Sequence, residues 1–334
     1  MIDASITLFN PTRIVHEWLM DISVMQMHLN IQRLYRNTRT LFATRGMPLA
    51  LGEFILRPGL MGSGPYIATS GGYHVGFAPW LSFSEYWSYR GGDFGDEPSN
   101  GISRWLRDLL RHWPIETTSV AVDVGANIGI FTLEFAGLGF RQVHAFEPVP
   151  ETCRRLQRNV DRNRVSERVR VNCTALAERD GWLCIDYDPR SPATSYVSPR
   201  GERVPCQTLD AYASVNQLAH VDLLKLDVEG WEVRVLRGAR QLLADGRIDL
   251  ILVEWAPDLL ERAGSSGGEL WSVLTRHGYC LWRVCRHGLL PIARLQDLAG
   301  VKWGNLVASR GLLGFLGGND RLAEPGQRAV NQCG

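Results

Sequence analysis

The chain has 334 residues, 45% of them hydrophobic and 21% charged, with a formal net charge of +1. That is an ordinary globular composition, long enough for one large domain plus an appendage or for two modest domains. A balance this close to neutral gives no electrostatic footprint for nucleic acid or an anionic membrane, so neither is expected as a partner.

Only Lys225 and Lys302 supply ammonium groups; the other 34 of the 36 basic residues are arginine. The seven cysteines (153, 173, 184, 206, 280, 285 and 333) are odd in number and scattered, with no Cys-x-x-Cys. This argues against a disulfide framework or zinc site and predicts reduced thiols in a cytoplasmic protein. No basic region followed by an apolar run opens the chain, and no uncharged apolar stretch reaches about 18 residues. Neither a signal peptide nor a membrane span is expected.

In chain order, Ile14 to Tyr35 carries apolar residues at helical spacing (Ile14, Trp18, Ile22, Met25, Leu29). This helix either pairs with its copy in a homodimer or covers a sheet, and covering is favoured. Residues 57–76 are punctuated by Gly and Pro and predict loops and short strands. Residues 77–113 are rich in aromatics, which pack a core or form a lid whose rings stack on a substrate. A helix over 99–112 follows.

From Ser119 strands and helices alternate. Strands are expected at 120–123, 142–146, 169–173, 221–227, 248–254, 279–285 and 305–309. Helices are expected from 129, and over 151–163, 209–218, 232–243 and 269–277. A hairpin of 182–188 with 195–204 interrupts the series. Alternation of this kind predicts an α/β fold, a mostly parallel sheet with helices on both faces. The domains are then 1–115, an N-terminal extension with helical cover and substrate lid; 116–310, the α/β domain; and 311–334, a flexible tail.

Three constellations carry chemistry. Val122-Asp123-Val124-Gly125-Ala126-Asn127-Ile128-Gly129 runs from a buried strand into a helix, where open α/β sheets bind ligands. Its Gly-x-Asn-x-Gly spacing lacks the glycines of a nicotinamide fingerprint at 127 and 130, which disfavours a dehydrogenase. About 20 residues on, the next strand ends in Phe146-Glu147-Pro148, and a carboxylate there can accept hydrogen bonds from both hydroxyls of a ribose. Glycine turn and acid together form a nucleoside-binding pair. The third run is Leu224-Lys225-Leu226-Asp227-Val228-Glu229-Gly230. Alternation puts Lys225, Asp227 and Glu229 on one side of a strand that runs that far, and Glu254 closes the neighbouring apolar strand. Among the histidines none has metal-ligand spacing; His74 alone is a candidate base.

These runs, with Thr208-Leu209-Asp210, Val235-Leu236-Arg237-Gly238-Ala239 and Val253-Glu254, occur in the order and spacing of the FkbM-type methyltransferases, which the chain resembles from Val120 to Pro257. The resemblance implies a Rossmann-like class I methyltransferase sheet with one antiparallel strand, and S-adenosylmethionine as cofactor. It also implies a hydroxyl acceptor on a small molecule, a natural product or a sugar. Carried over by position, Asp123, Gly125 and Asn127 contact the methionine half, and Ala126 and Gly129 also bind the cofactor. Glu147 lies at the ribose, Pro148 is also at the cofactor, and Ala175 and Leu176 lie near adenine. Lys225, Asp227, Glu229 and Glu254 face the transferring methyl, with Asp227 also at the cofactor. Either Asp227 or Glu229 acts as base, or Asp227, Glu229 and Glu254 hold Mg²⁺. The rivals are a non-catalytic module that binds the same nucleoside and a methyltransferase acting on a nitrogen.

Overall fold

The computed structural model describes residues 66–68, 74–76, 115–116, 118–188, 191–285 and 288–310. The expected helices at 14–35 and 99–112, the aromatic segment, and the tail beyond 310 lie outside the described residues. Within the first part, β1 (Tyr66–Ala68) and β2 (His74–Gly76) form a short antiparallel pair.

The α/β domain begins with β3 (Val120–Val124), α1 (Ile130–Leu138), β4 (Gln142–Phe146), α2 (Pro150–Arg162) and β5 (Val169–Asn172). Four strands follow: β6 (Ala175–Leu176), β7 (Gly181–Asp188), β8 (Ser191–Val197) and β9 (Glu202–Gln207). After them come α3 (Leu209–Val215), β10 (Val221–Leu226), α4 (Glu232–Arg237), α5 (Arg240–Ala244) and β11 (Ile248–Trp255). The domain closes with α6 (Pro257–Arg262), α7 (Gly267–Arg276), β12 (Cys280–Cys285), β13 (Gly288–Ile292) and β14 (Gly304–Ser309).

Eight strands make one sheet in the order β13-β12-β14-β11-β10-β3-β4-β5. β5, β4, β3, β10 and β11 are mutually parallel, and β14 runs antiparallel between β11 and β12. The chain builds outward from β3 to β5, then returns to lay β10 on the other side of β3. That reversal opens a crevice at the carboxyl ends of β3 and β10, where such sheets take ligands. This is the Rossmann-like, mostly parallel sheet expected above, with β13 added as a second reversed strand at the edge.

Strand alternation divides the core. Val122, Val124, Leu224, Leu226, Ile251 and Val253 fill one face, and Ala121, Val143, Ala145, Leu223, Leu250 and Leu252 the other. Helix starts are fixed locally. Pro150 opens α2 with its φ preset, Thr208 caps α3 through Ala211 N–H, and Ser266 caps α7 through Glu269 N–H.

The structure corrects several expectations. The strand expected at 195–204 is two strands, β8 and β9, parted by a turn in which Gly201 N–H donates to Ser198 carbonyl. They join β6 and β7 in a separate four-stranded sheet; Pro199-Arg200-Gly201 is a turn signal that alternation alone overlooks. The helix expected over 232–243 breaks at Gly238 into α4 and α5. A Cβ at Gly238 would lie 2.0 Å from the Ala177 carbonyl oxygen, so the close backbone approach there requires glycine. α6 and β13 are elements the periodicity misses.

Cys153 of α2 and Cys173 after β5 form a disulfide across a separation of 20 residues, their Cα atoms 5.6 Å apart. This corrects the expectation of reduced thiols throughout. Disulfides are rare in reducing compartments, so the thiol argument for a cytoplasmic location falls. No helix among the described residues is long and apolar enough to cross a membrane.

Candidate functional site

The turn after β3 is built by backbone bonds to both neighbouring strands. Gly125 and Ala126 N–H groups donate to the Phe146 carbonyl at the end of β4, and Asp227 N–H donates to the Val124 carbonyl. Gly125 has φ +76°, and a Cβ there would lie 1.8 Å from the Asp227 carbonyl oxygen. No side chain fits between the β3 turn and the β10 turn. Asn127 is also left-handed, at φ 50°, a conformation asparagine tolerates better than most residues.

That bend brings Asn127 N–H onto Glu147 Oε2 at 2.9 Å, while Val149 N–H donates to Glu147 Oε1 at 2.9 Å. The glycine turn and the acid at the end of β4 therefore meet directly. Glu147 is 6% exposed. Burial pushes its pKa up to about 7, against the pull of the two amides and of Lys225. The amide oxygen of Asn127 is buried without a hydrogen-bond partner among the described residues. An orphaned acceptor beside a glycine cradle fits a ligand that brings an N–H donor. Ala126 and Gly129 are buried in the turn, and Pro148 is half-buried beside Glu147.

Asp123 and Lys225 are direct partners in the parallel register of β3 and β10, on the same face. Asp123 is wholly buried; its Oδ2 accepts from Thr132 Oγ1 at 2.6 Å, and Oδ1 lies 3.3 Å from Lys225 Nζ. The same ammonium lies 3.3 Å from Asp227 Oδ2, donates to the Gly125 carbonyl at 3.1 Å, and sits 4.9 Å over the Phe131 ring. Burial works to lower the Lys225 pKa, but the carboxylates of Asp227 and Asp123 outweigh it and the net shift is upward. Lys225 thus stays charged and ties three segments together. A buried pair broken on one side leaves an uncompensated charge, which costs about 3–5 kcal/mol. Lys225→Met is expected to lower the melting temperature by roughly 6–20 °C, measured by calorimetry. A drop of less than about 2 °C contradicts this role.

β10 ends at Leu226, so the alternation expected to reach Glu229 stops short. Asp227 follows with its side chain 43% exposed. Glu229 lies in the turn beyond, in left-handed backbone at φ 54°, a conformation that costs a non-glycine residue about 1–3 kcal/mol and is held only where the surroundings enforce it. Burial, and then the Asp227 and Glu232 charges, raise its pKa to about 7. Glu232 of α4 is itself buried, accepts from the Val228 and Gly230 amides, and is raised to about 7 by burial first.

Glu254, near the end of β11, is 9% exposed. Its pKa is raised well above the carboxylate range by burial and by Asp227, Glu229 and Glu232. The Trp303 indole Nε1–H donates to its Oε1 at 2.7 Å.

Ala175 and Leu176 are buried in β6, with Leu176 in the main core. His74 opens β2, and its side chain lies outside the described residues. The expectation that Asp227, Glu229 and Glu254 hold Mg²⁺ is not supported by their geometry. Among the described residues, the group of three whose ligand atoms come within 4.8 Å of one another is His220, Asp222 and Asp249, at the opposite end of the strands. Sequence reasoning missed Thr132, which fixes Asp123, and Trp303, which fixes Glu254; neither carries a motif signal.

The family model described as Methyltransferase FkbM domain matches residues 123–281. Methyltransferase 1 of Beauveria bassiana is 31% identical over 164 residues, covering 41% of this chain and 64% of its own. Methyltransferase sdnD of Sordaria araneosa is 27% identical over 172 residues, covering 41% of this chain and 66% of its own. The chain thus spans just under two thirds of these two relatives. The 31-O-demethyl-FK506 methyltransferase FkbM of Streptomyces tacrolimicus is 30% identical over 211 residues, covering 52% of this chain and 77% of its own.

Proposed function

The chain belongs to the FkbM methyltransferase family, and from that premise we propose that it methylates a hydroxyl of a small molecule, a natural product or a sugar, using S-adenosylmethionine. The observation that carries this is the bond from Asn127 N–H to Glu147 Oε2, which joins the glycine turn to the acid of a nucleoside-binding pair. The oxygen acceptor is supported by the S. tacrolimicus relative, whose name specifies an O-demethyl substrate.

When bound, S-adenosylmethionine supplies a methyl group made electrophilic by its sulfonium. Glu147 would accept from the ribose hydroxyls, and the turn from Gly125 to Gly129, with the free Asn127 oxygen, would hold the amino-acid end. Asp123 and Lys225 position that turn from below. Glu229, with a pKa of about 7, is half-ionised near neutral pH and suits the base that takes the acceptor's hydroxyl proton. Asp227, paired with Lys225, orients the acceptor beside it.

A pH dependence tests the cofactor assignment. Ionised Glu147 can accept from both ribose hydroxyls, whereas the protonated acid uses one oxygen as a donor. Its pKa of about 7 means the competent form grows as pH rises through 7, and binding releases a proton. S-adenosylhomocysteine is expected to bind roughly tenfold more tightly at pH 8 than at pH 6, by calorimetry in buffers of different ionisation enthalpy. Equal affinity at the two pH values, with no proton released, would sink the ribose assignment.

A further inference from the structure

Glu254 has two oxygens in unlike settings. Oε1 accepts from Trp303 Nε1, and Oε2 is buried with no hydrogen-bond partner among the described residues. The hold on Oε1 is itself built. Trp303 lies just ahead of β14, whose register sets Gly304 opposite Trp255 and Asn305 opposite Glu254. The Trp255 indole Nε1–H donates to the Val301 carbonyl at 3.0 Å, pinning the segment that carries Trp303. Two indoles therefore fix one carboxyl, the first through the backbone and the second directly.

The groups acting on that carboxyl are acids from three places: Asp227 just past β10, Glu229 in the turn after it, and Glu232 of α4. Leu226 pairs with Val253, so Asp227 and Glu254 each follow directly on the last register pair of β10 and β11. A buried carboxylate with one donor and three other acids around it is poorly stabilised. A neutral acid suits the same surroundings. The indole N–H then meets the carbonyl oxygen, and the other oxygen carries a hydrogen that no described residue accepts. Buried donors of that kind are rare unless a ligand or water completes them.

We propose that Glu254 serves as a neutral acid whose free O–H donates to an oxygen of the methyl acceptor, with Trp303 as the residue that positions it. This rests on the methyl-transfer function above and separates two roles there: Glu229 takes a proton, and Glu254 holds one. Carboxyl groups pushed apart in this way divide acid and base duties in other active sites. The acceptor would then present a second oxygen near the hydroxyl that is methylated, as a vicinal diol or a hydroxyl beside a carbonyl does.

Infrared difference spectroscopy of the full chain tests this without turnover. Wild type minus Glu254→Gln at pH 7 is expected to show a protonated carboxyl band. In Trp303→Phe the titration midpoint of that band should rise by about one pH unit, because an N–H donor favours the ionised form. Loosened packing alone would admit water to the carboxyl and move the midpoint down instead. Adding trans-1,2-cyclohexanediol to the S-adenosylhomocysteine complex should lower the band frequency as the O–H gains an acceptor. An ionised carboxylate at pH 7, an unmoved midpoint in Trp303→Phe, or a band indifferent to the diol overturns the proposal. Calorimetry with S-adenosylhomocysteine separates the two levels: a protonated Glu254 in a protein that binds no cofactor would defeat the methyl-transfer function, while normal binding with an ionised Glu254 would defeat only this role.

Discussion

Replacing Glu229 with Gln is expected to lower kcat by roughly 100- to 10,000-fold, the usual worth of a positioned base, while S-adenosylhomocysteine affinity stays within about threefold. Glutamine keeps the size and the hydrogen-bonding reach of the side chain but cannot take a proton. The left-handed backbone at Glu229, beside Gly230 at φ 97°, is unchanged by the swap, so the turn should persist. The wild-type rate should rise with pH through about 7, because only the ionised form accepts the proton, and the variant should lose that limb. The check is transfer of labelled methyl from S-adenosylmethionine to a hydroxylated acceptor, run beside Asp227→Asn. Near-normal turnover in Glu229→Gln with a dead Asp227→Asn would move the base to Asp227.

The second large effect belongs to Glu147→Ala. Hydrogen bonds to a charged group contribute about 1.5–3 kcal/mol each, so losing acceptors for two ribose hydroxyls should weaken S-adenosylhomocysteine by roughly 100-fold or more. The loss has a structural part too. Glu147 holds the amides of Asn127 and Val149, so without it the glycine turn loses its anchor to the end of β4. Glu147→Gln, which keeps an oxygen and the side-chain length, should fall between wild type and alanine. Calorimetric affinities for the three proteins decide the matter, and an unchanged Kd in Glu147→Ala would place the ribose elsewhere.

Much of this site was legible before any coordinates because its signals are local. The run from Val122 to Gly129 joins strand to turn to helix within eight residues, and Glu147 ends the adjacent strand. What the sequence hides is pairing at a distance. Lys225 looked like a group facing the chemistry; parallel register also sets it against the buried Asp123, and its ammonium lies 3.3 Å from both Asp123 and Asp227. Trp303 reaches Glu254 across 49 residues, and nothing in the composition around Trp303 marks it. Cys153 and Cys173 were unremarkable as spacings, yet α2 folds back along β5 and brings them together. The carboxylates at 227, 229 and 254 looked like a cation site because sequence alternation cannot show where a strand stops. β10 ends at Leu226, and among the described residues these three acids form no group whose ligand atoms come within 4.8 Å of one another, although they act on one another electrostatically.

The central claim is that the turn from Gly125 to Gly129 and Glu147 together hold S-adenosylmethionine. Titrating the wild-type chain with S-adenosylhomocysteine while following amide hydrogen exchange tests it most directly. One-to-one binding near micromolar Kd, with exchange slowed at Asn127 and the rest of its turn, is the expected result. A folded protein that binds no S-adenosylhomocysteine, or that binds it and shows protection only at other segments, would contradict the claim.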